Sequence, residues 1–262
     1  GIVQVLDAFS RENFYRYRES AEPMKSLLFQ VYKWLIYLPV LVLATTLCGL
    51  AVLVIAPFSP RLASRWFASL WARILFRASW SRLAVSGAGE LAGQRSYIVV
   101  ANHLSQFDIP VLYGWLPLDL KWVMKKELRH IPILGAACAA MGHIFLDRSN
   151  RDEALRVLQQ VKGELAPGTS ILFFPEGTRS RNGKMKPFKS GAFMMAKDLD
   201  IPVLPVTLLD TDSILPPDGI DLRPGSARMI IHPPIELEEV RALSPGELRD
   251  RARAIIAAPV VE

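Results

Sequence analysis

Cysteine is nearly absent: Cys48 and Cys138 are the two in 262 residues. A disulfide framework is thereby excluded, and no CxxC or Cys/His spacing supports a zinc site. No GxSxG occurs anywhere, which argues against a serine lipase built on a nucleophile elbow. Acidic residues are missing between Glu22 and Glu90. That stretch still holds seven cations: Lys25, Lys33, Arg61, Arg65, Arg73, Arg77 and Arg82. The whole chain carries 31 Lys and Arg against 25 Asp and Glu, a net charge of +6 suited to a polyanion or an anionic lipid surface. With 51% hydrophobic and 21% charged residues it is a folding sequence rather than a disordered one. Its length fits one large or two small domains. A mean hydropathy of +0.23 points to membrane contact.

The grease is concentrated. Residues 34–60 carry no charge, and LIYLPVLVLATTLCGLAVLVIA (35–56) is apolar enough to enter a bilayer. At about 1.5 Å per residue, this segment covers roughly 30 Å of hydrocarbon as a helix. Pro39 interrupts the run, so a helix half-submerged in one leaflet competes with a full span. The run is too long for a signal peptide, and no small-residue cleavage site precedes the rest of the chain. Residues 1–23 are mixed and carry no pattern; Met24, followed by Lys25 and apolar residues, would serve as a natural start.

The next segment, RLASRWFASLWARILFRASW (61–80), places Leu62, Ala63, Trp66, Phe67, Leu70, Trp71, Ile74 and Leu75 on a helical stripe. Arg61, Arg65, Arg73 and Arg77 recur at multiples of four along another ridge. An arginine ridge beside a Trp/Phe stripe describes a helix lying in a bilayer interface. A surface helix packed on a soluble core is the plainer alternative; the adjacent apolar run and the missing acids favour the membrane. Cations after the run place residues 61 onward on the cytoplasmic side of an inner membrane.

From Arg82 the pattern changes to short β-like runs alternating with helical ones. Strands are predicted at Leu83–Ser86, Tyr97–Ala101, Lys121–Met124, Ile144–Leu146, Ile171–Phe174, Val203–Leu208 and Arg228–Ile231. Helices are predicted over Asn150–Lys162 and Phe188–Lys197, and from a capping box at Ser244, Pro245 and Glu247 to about Ala257. The alternation predicts an α/β domain with a single, mostly parallel sheet flanked by helices. It is preceded by an N-terminal helical membrane-association element, and the boundary is set at residues 1–81 and 82–262.

Two strand ends carry chemistry. In YIVVANHLSQFD (97–108), His103 and Asp108 are separated by four residues. If a helix begins just after His103, Asp108 lies in an early turn and faces back to the imidazole. A carboxylate on Nδ1–H fixes the tautomer and leaves Nε2 as a base. A structural histidine at a strand end is the alternative. In FFPEGTRS (173–180), Gly177 allows close backbone approach, Thr178 offers a hydroxyl, and Arg179 offers a planar fork that suits phosphate. Lys184, Lys186 and Lys189 follow, and a solvated basic turn is the alternative. Lys125, Lys126 and Arg148 also follow strand-like runs and can converge with Arg179 on one anion; ordinary surface charge explains the lysines nearly as well.

With these residues in view, the chain resembles the glycerolipid acyltransferases. Asn102-His103 with Asp108 is similar to their signature, and FPEGTRS (174–180) to their second hallmark. KKEL (125–128), IPILG (131–135) and GHIFLDR (142–148) resemble the intervening block, and IPVLPVTL (201–208) the last, over residues 82–232. The resemblance is nearest to the bacterial 1-acyl-glycerol-3-phosphate acyltransferases. It implies that His103 deprotonates the sn-2 hydroxyl of lysophosphatidic acid, which attacks an acyl thioester. It implies that Asp108 orients His103, that Glu176, Gly177, Thr178 and Arg179 form the acceptor site, and that Lys125 or Lys126 and Arg148 assist. The implied partners are lysophosphatidic acid, acyl-carrier protein or acyl-CoA as co-substrate, and anionic membrane lipid. No cofactor, metal or nucleic acid is expected. A membrane-associated two-helix element ahead of the domain also belongs to the family and fits residues 27–80. An acyltransferase or transacylase for another lysolipid, and a non-catalytic module binding anionic lipid, are the alternatives.

Other features are read as structural. Gly87-Ala-Gly-Glu-Leu-Ala92 mimics a dinucleotide fingerprint but lacks a clear following helix and is taken as a turn. His130, His143 and His232 are read as structural histidines, and Cys138 as a small packing residue. The Trp and Phe stripe adjoins a membrane segment, so lipid explains it better than nucleic-acid stacking.

Overall fold

A computed structural model describes residues 27–87, 91, 95–147, 156, 161, 166–181 and 184–260. Arg148, nearly all of the helix predicted over Asn150–Lys162, and the start suggested at Met24 lie outside the described residues. The chain divides into two compact units, Gly1–Val42 and Leu43–Glu262.

Helix α1 (Leu27–Ile55) is long and apolar enough to cross a membrane. In the first unit its side chains Leu27, Leu28, Val31, Trp34, Leu35 and Ile36 are exposed, and the Lys33 ammonium lies over the Trp34 ring. In the second unit Val42's successors Leu43, Leu47, Leu50 and Val54 are exposed, while Ala44, Cys48 and Val52 are buried. Thr45 Oγ1 accepts a hydrogen bond from the Trp71 indole at 3.0 Å. A second helical stretch starts at Pro60–Leu62, capped by Ser59, widens into a π-helical segment at Ala63–Ala68 and ends as α2 (Ser69–Ala78).

This second stretch divides its apolar stripe between two environments. Of the predicted stripe only Ala63 and Leu75 are buried, Phe67, Trp71 and Ile74 are half-buried, and Leu62, Trp66 and Leu70 stand out with the arginines; the rest of the buried side is Ala68, Ala72 and Phe76, outside that stripe. The buried side is tied to helix α3 (Asp108–Trp115): Ser69 Oγ donates to Tyr113 O, Arg73 Nε donates to Gly114 O, and Phe76 meets the Trp115 ring edge-on at 5.1 Å. Packing on the domain and outward apolar exposure therefore coexist on one helix.

Among the described residues, seven strands form one sheet: β1 (Arg82–Ser86), β2 (Ile98–Ala101), β3 (Asp119–Lys125), β4 (Ile144–Leu146), β5 (Thr169–Phe173), β6 (Val203–Leu209) and β7 (Ser226–Ile231). Their order is β1-β7-β6-β2-β5-β3-β4. All pairs are parallel except β6 with β7. The predicted mostly parallel α/β sheet is thus observed. Strands β2, β5 and β6 are buried at every position, as near-continuous apolar runs in the middle of a covered sheet must be. Helix α4 (Leu134–Ala140), which has no clear periodic signal, connects β3 to β4. The helix predicted from Phe188 begins later, as α5 (Gly191–Leu199), and the predicted capping box opens α8 (Pro245–Ala257) with both of its hydrogen bonds formed. Between them lie α6, a single turn at Thr211–Ile214, and α7 (Leu237–Ala242).

Ile98, Val100, Ile171 and Phe173 share one core with Phe193 and Ala196 of α5 and Leu248 and Ile256 of α8. Side-chain alternation turns their strand neighbours to the other face. There Trp122 of β3 stacks on Tyr113 of α3 at 4.9 Å.

His143 is buried under this second layer. Its Nδ1 accepts from the Trp122 amide, so Nε2 carries the proton and bonds to the Tyr113 oxygen at 2.6 Å. Burial, aided by Lys121, lowers its pKa from 6.5 to about 3. Below 6.5 the unfolded chain binds a proton that the folded chain refuses, so stability falls with falling pH down to that lower value. The slope is about 1.4 kcal/mol per pH unit. His143→Gln keeps an amide for the network and removes this slope. Its Tm, followed from pH 7 to pH 4.5, should fall less steeply than that of the unsubstituted protein; parallel curves would refute a buried neutral imidazole.

Candidate active site

Because β2, β3, β4, β5 and β6 run in one direction, their C-terminal ends lie along one edge of the sheet. Open α/β sheets place their sites at such edges. β2 leads into His103, β5 into the Phe174–Ser180 turn, β3 into Lys125 and β6 into Asp210 and Thr211.

The end of β2 is pinned first. Asn102 is buried; its Nδ2 donates to Leu208 O and its Oδ1 accepts from Leu208 N, at 2.8 and 2.7 Å. The chain then leaves the sheet as a non-helical loop, and α3 begins at Asp108 itself, later than a helix starting just after His103. The reason is local. Asp108 Oδ2 accepts from the backbone N–H groups of Leu104 and Ser105, at 2.8 and 3.0 Å, and so closes the loop ahead of the helix. The same oxygen is 2.7 Å from His103 Nδ1. Asp108 is fully buried, while the His103 side chain keeps 15% of its surface exposed. The imidazole stacks on Phe174, ring centres 3.9 Å apart and planes 12° from parallel. Nδ1–H is thus held by a carboxylate, leaving Nε2 as a hydrogen-bond acceptor.

The turn after β5 is bound to the same loop. Ser180 N donates to His103 O at 2.8 Å, and Glu176 Oε1 accepts from His103 N at 2.8 Å. Glu176 Oε2 accepts from Lys186 N at 2.7 Å. Burial raises the Glu176 pKa, and the two backbone donors oppose that rise. Both oxygens face the main chain, so Glu176 clamps the turn to the histidine loop. Gly177 has φ +77°, and a Cβ there would lie 3.0 Å from Lys189 Nζ. Lys186 Nζ donates to Thr178 Oγ1 and Arg179 O, at 2.8 and 2.9 Å, and orders the tip of the turn. Thr178 is exposed and Arg179 half-buried.

Of the other sequence candidates, Lys125 ends β3 on the same edge, two strands from β2, with its exposed ammonium 3.3 Å from Glu127. Lys126 is exposed at the start of a 3-10 turn, Lys126–His130. The structure thus joins His103, Asp108, Glu176 and the Ser180 backbone through direct hydrogen bonds, with the two lysines farther along the sheet edge.

A family model described as Acyltransferase matches residues 82–209. The chain is 35% identical to a 1-acyl-sn-glycerol-3-phosphate acyltransferase of Chlamydomonas reinhardtii, over 89% of this chain and 69% of that protein. The chain belongs to the 1-acyl-sn-glycerol-3-phosphate acyltransferase family. It is 31% identical to the human alpha enzyme of that name, over 66% of this chain and 60% of the relative. It spans about half the length of the chloroplastic Arabidopsis thaliana relative, covering 48% of it at 36% identity. The crystal structure of the LPA acyltransferase PlsC from Thermotoga maritima superposes with a TM-score of 0.75 at 28% identity, covering 91% of this chain and 95% of that one.

Three contacts of this candidate site were invisible in sequence. Phe174 ends a predicted strand and opens the FPEGTRS segment, but neither reading puts its ring against the imidazole. Lys186 was one of three lysines in a basic run, with nothing to single it out. Thr211 donates its hydroxyl to Asp108 Oδ1 from 103 positions away. No local pattern reports a contact of that sequence separation.

Proposed function

We propose that this acyltransferase moves a fatty acyl group from acyl-carrier protein or acyl-CoA to the sn-2 hydroxyl of lysophosphatidic acid, giving phosphatidic acid. The observation that carries the reading is the 2.7 Å contact of His103 Nδ1 with buried Asp108, on a loop bonded directly to the Glu176–Ser180 turn. His103 Nε2 takes the hydroxyl proton as the alcohol oxygen attacks the thioester carbonyl. The tetrahedral intermediate collapses, the C–S bond breaks, and the imidazolium returns the proton to the departing thiolate. Asp108 balances the imidazolium charge between these steps. The thioester is already activated, so the reaction as written requires no cofactor. General-base catalysis supplies about 10²–10⁴ in rate, and positioning supplies much of the rest.

Arg179 takes the acceptor phosphate, with Gly177 and Thr178 shaping the turn that presents it, and Lys125, Lys126 and Arg148 assist. Residues 1–81 serve as the membrane-associated element and 82–262 as the catalytic domain, on the cytoplasmic side of the inner membrane. The exposed side chains of α1, with Leu62, Trp66 and Leu70, support membrane association, while Ser69, Arg73 and Phe76 tie the second helical stretch to α3 of the catalytic domain. An amphiphilic acceptor then reaches the site without leaving the bilayer.

The test uses purified protein, labelled acyl donors and a panel of acceptors. Lysophosphatidic acid should be acylated in preference to lysophospholipids with larger headgroups. Arg179→Ala should reduce kcat/KM for lysophosphatidic acid about 10–100-fold, the loss of one charge-assisted contact, and change that for a neutral monoacylglycerol less than about twofold. Equal losses would remove Arg179 from the phosphate site. Preference for a different lysolipid would overturn the acceptor assignment.

A further inference from the structure

We propose that Thr211 is a positioning residue for the catalytic pair: its hydroxyl holds the far oxygen of Asp108, so that the near oxygen stays aimed at His103. This rests on the reading of His103 as base and Asp108 as its orienting carboxylate.

The two oxygens of Asp108 have separate duties. Oδ2 receives His103 Nδ1 and two backbone amides. Oδ1 receives Thr211 Oγ1. Asp108 and Thr211 are each fully buried, at 0% exposure, so bulk water has no access to Oδ1 if the hydroxyl is removed. A terminal carboxylate torsion is broad and intrinsically weakly restrained. Donors on both oxygens narrow it, and a buried anion left short of one donor is costly. Thr211 opens α6, just after β6, so its hold on Asp108 comes from a different segment of chain than the loop that carries His103.

The backbone is shaped to deliver this hydroxyl. Asp210, just before Thr211, is a non-glycine residue with φ +64° and ψ +11°. Such left-handed residues persist where surrounding contacts overdetermine them, and they gather at functional sites. Here the Asp210 carbonyl accepts from Ser213 N and Ser213 Oγ, which turns the chain at once into α6 with Thr211 facing inward. Two further ties lock this segment to the histidine loop. Asn102 pairs with Leu208 on one side of Thr211, and Ser105 Oγ donates to Leu215 O at 2.6 Å on the other. Thr211 therefore sits in a frame fixed at both ends. A residue needed only to fill volume at that position would not require a hydroxyl.

The experiment is a double-mutant cycle on the full-length protein with radiolabelled donor. Thr211→Val and Thr211→Ala should each lower kcat about 10–100-fold with KM for both substrates nearly unchanged, as expected when a partner of a catalytic group is lost. Thr211→Ser, which keeps the hydroxyl, should restore kcat to within about threefold. In the Asp108→Asn background, Thr211→Val should cost less than about twofold, because its effect passes through the carboxylate. Equal costs in the two backgrounds, a failure of Ser to restore turnover, or a rise in KM without a fall in kcat would each overturn the proposal. If Asp108→Asn alone retained full turnover, the orienting role of Asp108 would fail and this inference with it. A crippled Asp108→Asn with additive Thr211→Val would remove Thr211 alone and leave the catalytic pair standing.

Discussion

His103→Ala should lower kcat by about 10²–10⁴-fold while leaving the fold intact, the range expected for loss of a general base. The fold should survive because Asp108, left without the imidazole, keeps two backbone N–H donors and the Thr211 hydroxyl. The substitution thus removes the base without stranding a bare buried charge, the situation that makes most such deletions strongly destabilising. Tm of the variant should remain within a few degrees of the unsubstituted protein. Turnover is measured with labelled acyl donor and lysophosphatidic acid, and Tm by a thermal melt in the same detergent. Normal turnover in His103→Ala would end the general-base mechanism. Lost turnover with a collapsed Tm would show that the histidine holds the fold, and would transfer the question to Asp108→Asn.

Glu176→Ala should behave in the opposite way. The resemblance of the Glu-Gly-Thr-Arg turn to an acceptor site casts Glu176 as a substrate contact, whereas its oxygens accept from His103 N and Lys186 N. Alanine leaves two backbone donors without acceptors. The cost is about 1–3 kcal/mol for each, or together a fall in Tm of roughly 5–15 °C for a chain of this size. Glu176→Gln should recover little, since its amide would point N–H toward N–H at one of the two contacts. Release of the turn also frees the His103 loop, and misplacement by about 1 Å can cost 10²-fold in rate. The loss should be the same for lysophosphatidic acid and for a neutral acceptor, unlike that of Arg179→Ala. An unchanged Tm with a raised KM for the phosphate acceptor alone would return Glu176 to direct contact with substrate.

Much of the fold was legible because it is written at short range. The seven strands are apolar or β-branched runs bounded by turn residues, and their observed ends fall within about two residues of those the sequence predicts. The capping box of α8 is a pattern of four consecutive residues. α4 and the start of α3 were less legible. The Ala-rich GAACAA segment has no amphipathic period, and Asp108 delays α3 through bonds to its own preceding loop. The stripe on residues 61–80 has the period of an amphipathic helix. Periodicity alone leaves open how much of that stripe faces lipid, because a core and a bilayer reward the same residues; the structure turns Ala63 and Leu75 inward and Leu62, Trp66 and Leu70 outward, and fills the rest of the buried side with Ala68, Ala72 and Phe76.

By itself, the sequence determined the class of the fold, the pairing of His103 with Asp108 and the concentration of apolar and cationic residues before residue 82. These follow from spacings of a few residues, over which backbone geometry converts sequence directly into position. Only the tertiary structure decided the strand order, the clamp by Glu176, the stacking of Phe174 and the reach of Thr211 to Asp108. Each of those joins segments tens of residues apart. Such segments meet because parallel strands share one edge once the sheet has formed, and the meeting point is a property of the sheet rather than of any stretch of chain.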